Sequence, residues 1–404
     1  MTSFAPTPDA SPLLDPDELP RLRERIAELG ADGWLLYDFR DQNPLAHTLL
    51  GLGKTTRRAF ALFPASGEPR LLRHAIEASS WRGWPWPQET YAGWEELEEA
   101  LPGFLKGMRS VAMEVSPRSS VPTVDRVPSG TVELIRSTGV ELVSSGDLVS
   151  QYHSRWHPGG LEAHRRAARV VREVAHGAFE RARQGVAAGA PLHEAALMEW
   201  IENGLRRGGV TEQVGCIAAL GRTASDPHYH PGGDGEAIEA ESLVLIDLWG
   251  TEPGGIPADQ TWMAWIGSAP DDRTVEVWTA VRDARDRALD LLHSRHAEGR
   301  ALRGWEVDRA ARELLAERGL DRWFVHRLGH SIDRELHGSG PNLDDLETRD
   351  ERRILPGTGF SVEPGVYIPG EIGVRSEVNV HWSEDGPEIT PTEIQRELLV
   401  LPVE

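Results

Sequence analysis

Ser242-Leu243-Val244-Leu245-Ile246-Asp247-Leu248-Trp249 is the stretch on which the fold turns. Its apolar run is too continuous for a solvated edge and predicts a central strand. Asp247 is the exception within it. A lone carboxylate in such a strand is strongly desolvated unless it is paired or holds a cation, the alternative being a residue that already caps the following turn. After a loop over 250–258, the segment 261–266 reads as a hairpin partner that can return Asp259 to the side of Asp247.

Working outward, 161–184 and 191–204 read as helices upstream, and 271–298 and 305–317 as helices downstream. Strand-like pieces follow at 359–362, 365–368, 373–380 and 396–401. Helix pairs leading into strands thus occur twice, the pattern of a duplicated α+β unit. His157-Pro158-Gly159-Gly160 marks a boundary. Before it, a helix from Leu22 to about Gly30, a strand at 33–37, a hairpin of 58–63 with 69–72, a helix over 94–105 and strands at 110–114 and 140–143 predict a mixed α/β domain. The expected domains are 1–155 and 156–404. Prolines at 7, 9, 12, 16 and 20 predict a loose lead-in over 1–20.

The chain has 404 residues, and 39% are hydrophobic before its 41 glycines are counted, which excludes disorder as the main state. Lys and Arg number 43 against 64 Asp and Glu, and the net charge of −21 repels phosphate backbones and anionic lipid. Neither a nucleic-acid nor a membrane partner is therefore expected. The lone Cys216 excludes an intramolecular disulfide and a thiolate cluster, so any metal site must use carboxylates and imidazoles. The first twenty residues lack a basic region followed by an apolar stretch, and the expectation is a cytoplasmic protein.

Three further segments carry chemistry. His326-Arg-Leu-Gly-His330-Ser-Ile-Asp-Arg-Glu-Leu-His337 places three of the chain's 15 histidines together, with Gly329 and Gly338 suggesting irregular backbone that can wrap a site. Incidental histidines on a surface helix would give the same string. Val362-Glu363-Pro364-Gly365 and Gly373-Val374-Arg375-Ser376-Glu377 each put a glutamate among strand formers. Asp247, Asp259, Glu363 and Glu377 with one imidazole suit two divalent ions, whose four positive charges the carboxylates neutralise. Hard oxygen donors favour Mn²⁺, with Co²⁺, Zn²⁺ or Mg²⁺ open, and the set fits a two-metal hydrolytic centre.

This order of motifs resembles the pita-bread metallopeptidases, in the branch with a creatinase-like amino-terminal domain that cleaves Xaa-Pro bonds. The resemblance spans essentially the whole chain. It implies an α+β pita-bread catalytic domain behind a smaller α/β domain, and a homodimer. It also implies an Xaa-Pro dipeptidase (prolidase) acting on proline-containing dipeptides or short peptides, or an aminopeptidase P acting on longer ones. It implies metal ligation by Asp247, Asp259, His330, Glu363 and Glu377, with Asp259 and Glu377 bridging. Glu363 would handle the proton of the attacking water, His228 would donate to the oxyanion, His337 would contact the leaving side, and His326 would shape the proline pocket. Relatives usually have Gly, Tyr and Gly where this chain has Trp249, Ile256 and Arg327. Creatine amidinohydrolase shares the general fold, but the complete ligand set argues against it and against a non-catalytic peptide-binding protein.

Overall fold

Pro20 lies in the first turn of α1 (Leu19–Glu28), where its missing N–H has no helical partner to lose, and the helix gives way at Gly30 with φ +75°. The computed structural model describes residues 11–403 apart from Leu52, so 1–10 of the predicted lead-in lie outside the described residues. The remainder of that lead-in is not loose: Pro12–Leu14 forms a 3-10 turn whose Leu13 is buried. The chain divides into two compact units between His153 and Ser154.

In the first unit, β1 (Gly33–Asp38) is buried throughout. It is followed by α2 (Pro44–Leu50), β2 (Ala59–Pro64), β3 (Arg70–His74), β4 (Gln88–Tyr91), α3 (Trp94–Phe104), β5 (Ser110–Met113), α4 (Ser129–Ser137), β6 (Glu141–Ser144) and α5 (Gly146–Tyr152). Among the described residues the strands form one mixed sheet in the order β4-β3-β2-β1-β5-β6. Both of its faces are apolar, which is why β1 and β2 read as continuous hydrophobic runs.

Glu114, just after β5, is fully buried and binds three elements together. It accepts hydrogen bonds from Trp34 Nε1 (2.8 Å), Ser145 Oγ (3.0 Å) and Asn43 Nδ2 (3.1 Å), and Asn43 also caps α2. Burial pushes its carboxyl up to about 7, although all three donors favour the ionised form. The folded unit therefore keeps a proton that the unfolded chain has already lost. This contribution is favourable near pH 4.5 and is lost as pH rises to 7, by on the order of 3 kcal/mol. Urea midpoints at pH 5 and 7.5 should show wild type losing that much stability relative to Glu114→Gln; parallel pH dependences would remove the assignment.

The second unit begins with α6 (Gly160–Ala187) and α7 (Glu194–Arg207), followed by β7 (Glu212–Leu220), β8 (Ser242–Thr251) and β9 (Ala258–Ile266). Then come α8 (Asp272–Ala297) and α9 (Gly304–Glu317), and after them β10 (Ser331–Ile332), β11 (Gly359–Val362), β12 (Gly365–Ile368), β13 (Ile372–Arg375), β14 (Val378–Ser383), β15 (Gly386–Thr390) and β16 (Leu399–Leu401). The sheets run β16-β9-β8-β7, β10-β11-β14-β15 and β12-β13. β8 is thus internal, paired on both edges. Alternation along the strands sorts its two faces: Ile246 and Leu248 share a core with α6 and α7, whereas Leu243 and Leu245 share the core of α8 and α9. Asp247 and Trp249 continue the second series.

Two strand expectations change. The segment 373–380 is broken between β13 and β14, because Ser376 N–H donates to Pro364 O (3.3 Å) and Glu377 N–H to Thr261 O (3.3 Å) rather than to a strand neighbour. The segment 396–401 shrinks to β16. The histidine-rich segment is no surface helix, since only Ser331–Ile332 is a strand and the rest is bent, irregular backbone with one isolated bridge from Gly329 to Leu343.

Candidate metal centre

The β8–β9 hairpin pairs Asp247 with Thr261 and Trp249 with Asp259. Side chains at these four positions share one face, so the two aspartates are diagonal neighbours. His330 enters from the edge of the other sheet. Its N–H donates to Ser361 Oγ (2.9 Å), and its carbonyl accepts from Ser361 N (2.9 Å). Two residues beyond Ser361, Glu363 N–H donates to Leu328 O (2.8 Å), which fixes Glu363 beside His330. Glu377 occupies the β13–β14 break, where Oε2 accepts from Thr261 Oγ1 (2.8 Å).

The imidazole of His330 is oriented for ligation. Nδ1–H donates to Ser331 O (3.1 Å), leaving Nε2 facing Asp259 Oδ2 at 3.3 Å and Glu363 Oε1 at 3.6 Å. An imidazole nitrogen facing two carboxylates calls for positive charge there, and in the metal-free protein Asp259 and Glu363 outweigh burial and raise the pKa of His330, a place that a cation takes over when a metal binds. Among the described residues, Asp259 Oδ1 and Glu377 Oε1 are buried without a hydrogen-bond partner. Burial, together with Asp259, Glu363 and Asp247 nearby, raises the Glu377 carboxyl well above the usual range. Asp247 is raised by burial against the opposing pull of Arg375, while for Glu363 the charges of His330 and Arg375 outweigh burial and lower it. Four carboxylates with one buried guanidinium among them are short of positive charge, and divalent cations fit that deficit.

Asp259, His330 and Glu377 each offer one ligand atom within 4.8 Å of the others, a triad able to hold a metal. Asp247 and Glu363 stand beside this triad. All eight residues singled out from the sequence border one cavity of about 540 Å³: the five expected ligands together with His228, His326 and His337. His228 is exposed on the loop after β7, and its N–H donates to Asp226 Oδ1 (3.1 Å). The exposed His337 packs edge-on to His330, with ring centroids 4.4 Å apart. His326 donates through Nδ1 to Arg327 O (2.7 Å) and meets Tyr367 OH through Nε2 (2.8 Å); burial lowers its pKa and keeps it neutral. Of the three departures, Trp249 and Arg327 line the cavity, Arg327 paired with Glu347 at 3.6 Å, whereas Ile256 is buried against Gly160.

Sequence reasoning gave no role to the groups that hold these residues, although Arg375 stands in one of the quoted motifs. Arg375 pairs with Asp247 and also donates to Thr261 Oγ1 (2.9 Å) and Tyr367 OH (3.3 Å), so a continuous polar chain links Asp247 to His326. Glu194 secures the His228 loop: Oε1 accepts from Leu220 N (3.0 Å) and Thr223 Oγ1 (2.6 Å), and Oε2 from Tyr229 OH (2.7 Å) and Glu236 N (2.8 Å). A signal for it existed, because Glu194, Leu197, Ile201 and Leu205 fall on one buried helix face. Behind His326, Asp308 Oδ1 accepts from Leu328 N (2.8 Å), while Arg312 donates to Phe324 O (2.8 Å) and His326 O (2.9 Å).

This fold and donor set could hold a metal ion. Residues 162–384 match metallopeptidase family M24, and the chain belongs to that family. It is 33% identical over 195 residues to a probable dipeptidase PepE of Mycobacterium tuberculosis, a match covering 48% of each chain. It is 32% identical over 228 residues to an Xaa-Pro dipeptidase of Lactobacillus delbrueckii subsp. lactis, covering 56% of each. The chain thus spans about half the length of the curated relatives it matches. The crystal structure of dipeptidase PepE from Mycobacterium ulcerans has the same fold, with TM-score 0.70 at 23% identity over 97% of this chain and 99% of that one. The architecture is therefore a pita-bread α+β domain with a smaller amino-terminal α/β domain. Among the described residues no helix is long and apolar enough to cross a membrane.

Proposed function

We propose that this chain is a metal-dependent exopeptidase that hydrolyses the imide bond between a first residue and proline, as an Xaa-Pro dipeptidase. The observation that carries the reading is the buried set of carboxylates around His330, with two carboxylate oxygens unpartnered. Similarity to the Xaa-Pro dipeptidase of Lactobacillus delbrueckii supports the choice of bond. Asp247, Asp259, His330, Glu363 and Glu377 would hold two divalent ions, Mn²⁺ by the hardness of the oxygen donors, with Co²⁺ or Zn²⁺ as substitutes. Such ions polarise a peptide carbonyl and make water acidic enough to lose a proton near neutrality.

The chain's own residues complete the chemistry. Glu363, whose ionised form the Arg375 guanidinium favours, takes the proton from the attacking water. It then returns that proton to the departing nitrogen, which in an Xaa-Pro bond carries none of its own. His228, at the cavity wall, donates to the developing oxyanion, an interaction made mainly in the transition state. His337 faces the leaving side. His326, locked between Tyr367 and Arg327 O, is a rigid wall for the proline ring rather than a proton carrier.

Turnover of Ala-Pro, Ala-Pro-Ala and a longer Xaa-Pro peptide with added Mn²⁺ tests the reading. A dipeptidase should cleave Ala-Pro at least tenfold faster than the longer peptides. Comparable rates would instead assign an aminopeptidase P, and no turnover of any would leave a binding protein.

A further inference from the structure

We infer that Trp249 is a specificity-determining wall that selects an apolar side chain on the residue preceding the scissile bond. This rests on the peptidase reading above and adds a substrate preference to it.

Trp249 lies opposite Asp259 in the β8–β9 register and two residues from Asp247 on the same face. It is therefore built onto the acidic centre. On its other side it is registered with Gly215 of β7. A Cβ added at Gly215 would lie 2.5 Å from Trp249 Cζ2 and 2.6 Å from Cε2, so the indole lies across β7 in the space the glycine leaves open. The next residue of β7 on that face is Ile217, opposite Asp247, and it lines the cavity together with Trp249. Ile217 is 9% exposed and belongs to the core against which the half-buried Trp249 packs. The result is a supported apolar surface joined to the ligand cluster, not a loose surface ring.

The substrate's position follows from the reaction. The carbonyl that reacts belongs to the first residue, so it must sit at Asp259, His330 and Glu377. The side chain of that first residue, bonded to the Cα beside the reacting carbonyl, faces the β7–β8 side of the cavity, where the Trp249 ring and Ile217 offer apolar contact. The proline side is left to the histidines of 326–337. A cavity of about 540 Å³ leaves room for a leucine or phenylalanine side chain, so the indole acts by contact and not by exclusion.

The test compares Leu-Pro, Phe-Pro and Gly-Pro, with Leu-hydroxyproline varying the second position, on the Mn²⁺-loaded full chain. Wild type, Trp249→Phe, Trp249→Gly and Gly215→Ala are measured for kcat/KM and for calorimetric affinity. The Leu-Pro to Gly-Pro ratio should fall about tenfold in Trp249→Gly and less in Trp249→Phe. It should also fall in Gly215→Ala, which displaces the ring while retaining it and so carries the test if Trp249→Gly does not fold. Ratios within twofold of wild type, or a change confined to the second position, would overturn the inference. If wild type cleaves none of the peptides but its binding ratio follows Trp249, the peptidase reading fails and the wall stands. Cleavage with an unmoved ratio means the reverse, and neither binding nor cleavage rejects both.

Discussion

Glu377→Gln is expected to make the metal-free protein more stable and the enzyme nearly inactive. Without a cation, Glu377 is a buried carboxyl crowded by Asp259, Glu363 and Asp247, with Oε1 unpartnered. An isosteric neutral amide relieves that crowding, and Thr261 Oγ1 can still donate to its oxygen. The gain should be about 1 to 3 kcal/mol, a rise of several degrees in Tm for a unit of this size. With the proposed two ions bound the sign reverses, since one of the four carboxylates proposed to balance them is gone. Dialysed Glu377→Gln should retain less Mn²⁺ than His330→Ala, and kcat/KM should fall by about 10³-fold, or about 4 kcal/mol of transition-state stabilisation. Two tightly held ions in both variants, by elemental analysis, would refute the ligand set. The opposed signs matter because a merely structural glutamate would lower stability and activity together.

What the sequence made legible here was chemistry carried by residue type, and what it hid was chemistry carried by partners. Asp247 was visible because a carboxylate interrupts an apolar strand. Asp259 was visible because a hairpin returns to it. The long helices were visible by period and came within a few residues of α6, α7, α8 and α9. β7 escaped notice because its register shifts between Glu212 and Gly215, with Gln213 at φ +52°, which erases simple alternation. The β13–β14 break was hidden for a related reason. Gly373 to Val380 has strand composition throughout, and only the distant acceptors Pro364 O and Thr261 O divert the backbone at Ser376 and Glu377. Tyr367 and Thr261 looked like ordinary strand residues, yet they join His326, Arg375, Asp247 and Glu377. Nothing local distinguishes a strand hydroxyl that packs from one that orders an active site.

Gly329→Ala is expected to cost the catalytic unit at least about 3 kcal/mol and to lower metal affinity with it. The sequence suggested that this glycine serves an irregular backbone, but its φ is not among the positive ones, and its requirement is space. A Cβ there would lie 1.9 Å from Ser361 O and 2.7 Å from the Ser361 carbonyl carbon. Neither is the far end of a flexible side chain, so relief requires moving β11 away from the His330 segment. That displacement strains three bonds at once: His330 N to Ser361 Oγ (2.9 Å), Ser361 N to His330 O (2.9 Å) and Glu363 N to Leu328 O (2.8 Å). These bonds set the 3.6 Å approach of His330 to Glu363, so the stability defect and the metal defect share one cause. Gly130→Ala is the matched control. Its Cβ would meet nothing within 4 Å in the first turn of α4, where alanine should be neutral or stabilising by up to about 1 kcal/mol. A Gly329→Ala protein with wild-type Tm and wild-type Mn²⁺ content would show that β11 can yield by ångströms without disturbing the centre. The coupling between strand packing and ligand geometry would then be wrong.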